Sequence, residues 1–118
     1  MSEWFWMWLS AFALTQLVET PVYAYALARA RERSLVVCTG YGFLASAITH
    51  PVVWWVIPAI VPLSRYELFF AVAEGFALVT EALLMRALGL RRALLWSLLA
   101  NSLSVVVGSL LRAWVGWP

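Results

Sequence analysis

The stretch YELFFAVAEGFALVTEALLMRAL, residues 66–88, is long and apolar enough to cross a bilayer, and yet it carries three glutamates. Glu67, Glu74 and Glu81 follow one another at intervals of seven. Seven helical residues complete two turns less about 20°, so the three carboxyls lie nearly on one line down one face. Ala71, Gly75 and Leu78 follow the same side, where a neighbouring helix is expected to come close. A carboxyl facing lipid is costly, so this line must face protein or water. The rest of the chain is read around that requirement.

Composition sets the class. Of 118 residues 64% are hydrophobic and only 12% charged, and the mean hydropathy is +0.87. A water-soluble domain of this size needs a far more polar surface, so the chain is expected to be an all-α, multi-pass membrane protein whose first partner is the lipid bilayer. The net charge of +2 comes from eight arginines against six glutamates, without lysine or aspartate. That basic charge is too small and too dispersed to bind nucleic acid. Cys38, the one cysteine, can form no internal disulfide and reads as an ordinary apolar helix residue. The N-terminal MSEWFWMW lacks a basic region and a small-residue cleavage site, and reads as the start of a retained first span.

Four apolar segments of about 20 residues predict four spans, at 4–28, 35–57, 66–88 and 93–114, forming one transmembrane domain. Pro58 and Pro62 break the second connection at 58–65, and Gly89 suits the C′ position that ends the third span. Arg29, Arg31, Arg33, Arg86, Arg91 and Arg92 flank the first and third connections, whereas Arg65 and Arg112 lie at the other end. The positive-inside rule then places both termini on the outer (periplasmic) side of an inner, or plasma, membrane. Trp4, Trp6, Trp8, Trp54, Trp55, Trp114 and Trp117 fall at the outer ends of the spans, and Trp96 does not. They read as an interfacial belt, the alternative being an aromatic ligand site. Arg86 and Arg112 read as snorkelling anchors and Glu3, Glu32 and Glu67 as solvated.

Each other span carries one polar seam: Gln16, Glu19, Thr20 and Tyr23; Thr39, Gly42, Ser46, Thr49 and His50; Ser97, Asn101, Ser104, Gly108 and Arg112. Such seams predict a bundle whose interior is more polar than its surface. Counting 1.5 Å per residue from the inner arginines puts Glu19 and Asn101 at about 13–15 Å, Glu74 at about 18 Å and His50 at about 22 Å. Glu19, His50, Glu74 and Asn101 are thus expected in one midplane layer, with Glu81 nearer the cytoplasmic end and Glu67 at the outer interface. Pro51 removes the amide that would bond the carbonyl of Ala47, so a kink is expected there, with Thr49 free to occupy that carbonyl. Thr20-Pro21 sets a second proline beside Glu19.

The expected site is Glu19, His50, Glu74, Glu81 and Asn101. Neutralising membrane carboxyls by a proton or a bound cation is a natural exchange mechanism, so the first reading is proton or cation binding in an oligomeric transporter. The second is an intramembrane enzyme, using a divalent metal held by His50, Glu74 and Glu19 or a metal-free Glu/His acid–base pair. No HExxH is present, nor the paired-glutamate motif of the prenyl-protein proteases. The third is a structural or assembly subunit of a larger membrane complex.

Two resemblances bear on these readings. The chain length, the four spans and Glu19 in the first resemble the small multidrug resistance transporters, which exchange protons for cationic drugs as dimers. The chain departs from that family in having three membrane glutamates and a histidine, and in lacking its aromatic signature. Thr49-His50-Pro51-x-x-Trp54, Ala73-Glu74 with Glu81, and Ala100-Asn101-x-x-Ser104 are similar to motifs of small uncharacterised prokaryotic four-span membrane proteins. That likeness implies the four-span fold and the midplane layer, and no activity.

Overall fold

The computed structural model describes residues 2–31 and 33–117, and every long element in it is helical. Helix α1 is Glu3–Arg31, α2 runs over Leu35–Ile60, α3 is Tyr66–Ala87 and α4 is Ala93–Val115. The reading of Glu32 as solvated lies outside the described residues. Helices α2, α3 and α4 are long and apolar enough to cross a membrane. At 29 residues α1 has the length. Its Gln16, Glu19 and Thr20, together with tryptophans and tyrosines of middling hydropathy, keep it below the same apolarity.

Local chemistry explains the boundaries. Ser34 caps α2, its hydroxyl accepting from the Val37 amide at 3.2 Å. Gly89, at φ 92°, ends α3 as C′ in a Schellman turn, with the Leu90 amide on the Met85 carbonyl at 2.9 Å. The Gly89 turn is the one expected from the sequence. The prolines of α2 behave differently from expectation. Instead of breaking at Pro58, the helix widens into a π-turn at Val52–Val56 and runs on to Ile60. The Ile57 amide reaches back to the Val52 carbonyl, and Pro58 follows in the first turn of a resumed α-helix, where its missing amide is tolerated. The break comes only at Val61, which leaves the α conformation with φ −115° and ψ 108°.

The four helices form a ring in which α1 and α3 each lie between α2 and α4. The bundle measures 44 × 26 × 25 Å. Large apolar side chains cover the outside, among them Leu17, Val36 and Trp114 at 75%, 83% and 88% exposure. The interior combines alanines and a few larger apolar side chains such as Leu27 and Met85 with buried hydroxyls, amides, His50 and two carboxyls. The chain is a helical bundle with three helices apolar enough to span a membrane, and an apolar exterior around a polar seam is the arrangement a lipid solvent requires.

The close approach of helices occurs at Gly42 and not at the expected Ala71 and Gly75. Those two are exposed, and a Cβ on Gly75 would meet nothing within 4 Å. A Cβ on Gly42 would meet the Thr20 carbonyl oxygen at 3.0 Å and the Tyr23 Cβ at 3.2 Å. Gly42→Leu should therefore force α1 from α2 and lower stability by about 1–3 kcal/mol, read as a fall in the detergent fraction that unfolds the bundle. Gly40→Leu, where a Cβ meets nothing, is the control. Equal midpoints for the two variants would mean that the α1–α2 contact is not tight at Gly42.

Candidate functional site

Glu81, 2% exposed, is the point where all four helices meet. Its Oε1 accepts from the Tyr23 hydroxyl of α1 at 2.7 Å and from Asn101 Nδ2 of α4 at 3.2 Å. Its Oε2 accepts from the Thr49 hydroxyl of α2 at 2.7 Å. Glu19, also 2% exposed, accepts from Ser46 of α2 at 3.0 Å and Ser104 of α4 at 2.5 Å. Asn101 is aimed by Ser97, whose carbonyl accepts from Nδ2 at 2.9 Å, while the Ser97 hydroxyl holds the Leu78 carbonyl at 2.7 Å. The five donors to the two carboxyls are neutral hydroxyl and amide groups. Among the described residues, no arginine hydrogen-bonds to or forms a salt bridge with Glu19, Glu74 or Glu81.

This arrangement corrects the expected layer. Glu81 replaces Glu74 as the partner of Glu19 and Asn101, and Glu74 and His50 lie farther toward the end that carries the termini. The reason is side-chain tilt. A helical side chain leans toward its own N-terminus, so on antiparallel α3 and α4 the two lean toward each other. Glu81 and Asn101 meet although their Cα heights differ, and counting heights alone separates them. The seam of α2 also shifts. Thr39 is exposed and bonds its own helix, its hydroxyl donating to the Leu35 carbonyl at 2.7 Å. Thr49 spends its hydroxyl on Glu81, with the Ala45 and Ser46 carbonyls at 3.3 and 3.4 Å, and does not take the Ala47 carbonyl.

Toward the arginine end the layer is sealed. Tyr23, Leu27, Cys38, Met85 and Leu90 pack there as one apolar cluster. Toward the terminal end it opens into a cavity of about 690 Å³. Glu19, Glu81 and Asn101 form its floor, Glu74 and His50 line its walls, and Tyr66 and Arg112 stand toward its mouth. Arg112 therefore borders the cavity as well as serving as an end-of-helix cation. The half-buried Glu74 carboxyl has no hydrogen-bond partner among the described residues. His50, 8% exposed, is wedged among the rings of Trp8, Phe12 and Trp54 at centroid distances of 6.4, 5.4 and 6.0 Å.

Two expectations fail on this geometry. The Nδ1 of His50 has no partner, and no described carboxyl hydrogen-bonds its ring, so the Glu/His acid–base pair is not formed. Among the described residues, no three of His, Cys, Asp and Glu gather closely enough to hold a metal, although Glu19, His50 and Glu74 all line the cavity. The aromatic cage of His50 escaped the sequence reading. Its one signal is Trp8 and Phe12, four residues apart on α1 and facing the His50–Trp54 pair at the same spacing on α2.

No protein-family model, curated protein or solved structure matches the chain. The likeness to small multidrug resistance transporters therefore adds no residue to this site, which stands on its own chemistry.

Proposed function

We propose that the chain is a four-span protein of the inner membrane, with both termini outside, that binds a proton or a cation at Glu19 and Glu81 and works as an oligomeric carrier. The observation that carries this reading is the charge balance of the pair. Two carboxyls buried in one layer and fed only by hydroxyl and amide donors need a counter-charge once either is ionised, and among the described residues no basic side chain hydrogen-bonds to them. A proton shared between them, or a cation in its place, satisfies that need. The floor position of the pair gives it access from one side, and the Tyr23 cluster closes the other. Four helices enclose no through-path, so a carrier of this design needs a second copy or a second conformation. The first helix joins the membrane in this reading by packing its polar seam inward and its apolar face out.

Displacement of the proton by a cation is the test. In weakly buffered micelles, addition of Na⁺, K⁺, Mg²⁺ or Zn²⁺ to the purified protein should release close to one proton per chain for the preferred ion. The Glu19→Gln variant should release none. In liposomes the same ion gradient should drive an internal pH change that this variant lacks. Silence in both assays for every ion overturns the reading. It would favour a second one, which the five donors from three helices also support: a polar clamp that fixes the packing of a structural subunit.

A further inference from the structure

Glu74 and His50 take no part in the hydrogen-bonded floor. They are two proton-accepting side chains, one on α3 and one on α2, left without partners on the walls of the same cavity. His50 is more than nine-tenths buried, which makes an unpartnered ring costly unless something else meets it. Around them the walls are aromatic: Trp4 and Trp54 on one side, Tyr66, Phe69 and Phe70 on the other. The volume of about 690 Å³ lies within the range, about 300–1,000 Å³, of cavities that hold small organic molecules.

From this geometry we infer that the cavity binds a small amphipathic amine, whose N–H groups donate to Glu74 and His50 and whose apolar body lies against the aromatic walls. The inference rests on the reading of the chain as a membrane cation binder and names a substrate class for that cavity. Three physical points select the class. A carboxyl without a cation favours a positively charged guest, and aromatic faces add a further attraction for it. Two unpartnered acceptors call for a guest with more than one N–H, which a primary ammonium has and a quaternary ammonium lacks. Arg112, toward the mouth, repels a charge placed there, so the ammonium goes deep and the apolar body points outward.

The probes are 2-phenylethylamine and its N,N,N-trimethyl analogue, which share the ring and the charge and differ in N–H donors. They are titrated calorimetrically against the full chain in micelles. The primary amine is expected to bind at least tenfold more tightly than the trimethyl compound. Glu74→Gln should weaken the primary amine at least tenfold. His50→Phe, which keeps a ring in the aromatic cage, should erase most of the discrimination between the two probes. Circular dichroism of each variant establishes that it is folded. Equal affinity for the two probes, no binding of either, or indifference to Glu74→Gln overturns the inference. Proton release by inorganic ions is measured on the same preparation. If it persists while the amine fails to bind, the amine assignment falls and the cation reading of the carboxyl pair stands.

Discussion

Glu81→Leu should cost about 2–5 kcal/mol of stability, the largest loss expected from any single change in the bundle. The substitution leaves the Tyr23 hydroxyl, the Thr49 hydroxyl and one Asn101 amide hydrogen without their common acceptor. Interhelical hydrogen bonds in membrane proteins contribute about 0.6 kcal/mol on average and up to about 1.7. Three of them lost together, with the donors stranded in a buried layer, give the stated range. The measurement is the detergent fraction at the unfolding midpoint in mixed micelles. Glu67→Leu is the control, because Glu67 is exposed at the start of α3 and should shift nothing. A cycle with Tyr23→Phe separates the hub from simple repacking. Tyr23→Phe should cost about 1 kcal/mol in the wild-type chain. In the Glu81→Leu background it should cost nothing or restore stability, since it then removes a stranded hydroxyl. If Glu81→Leu is as stable as wild type, the carboxyl does not hold the helices together.

The parts of this structure legible in the sequence are those set by local rules. Gly89 ends α3 because only a residue tolerant of positive φ closes that turn, and Leu90 behind it completes the hydrogen-bond pattern. The polar lines of α1 and α4 do face the interior, because period and lipid cost fix the buried face of a helix. What the sequence hides depends on how two helices sit against each other. Gly42 and Gly75 look alike as small residues on apolar helices. Only the packing of α1 on α2 makes Gly42 the contact and leaves Gly75 open. Glu74 and Glu81 share one face, and the sequence favours Glu74 for the midplane by height. Opposed tilts on antiparallel helices select Glu81 for the four-helix junction and release Glu74 to the cavity. The π-turn after Pro51 is hidden for the same reason. A proline in a helix permits a kink, a break or a widened turn, and tertiary packing decides which.

That division of labour among the three acids leads to the second large effect: an apolar carbodiimide should modify Glu74 at least tenfold faster than Glu19 or Glu81. The reagent adds to a carboxyl that can leave its partners and meet it in free space. Glu19 and Glu81 are 2% exposed, and their oxygens are engaged by five donors. To react, either must first give up two or three hydrogen bonds, and each lies at the far end of the cavity from its mouth. The Glu74 carboxyl has no such bonds to break and borders a cavity of about 690 Å³. Intact-mass and peptide mapping after a short exposure should find the adduct on α3 at Glu74, and Glu74→Gln should abolish that fast phase. Glu67, exposed at the terminal end, reports the rate of an acid in the open, and a water-soluble carbodiimide should prefer it. The apolar reagent partitions toward the aromatic walls and so reaches Glu74 first. Prior addition of 2-phenylethylamine should slow the reaction at Glu74 and leave the rate at Glu67 unchanged. Fast modification of Glu19 or Glu81 in the wild-type chain would mean that the carboxyl pair is open to reagents, and that the cavity ends elsewhere than at its floor.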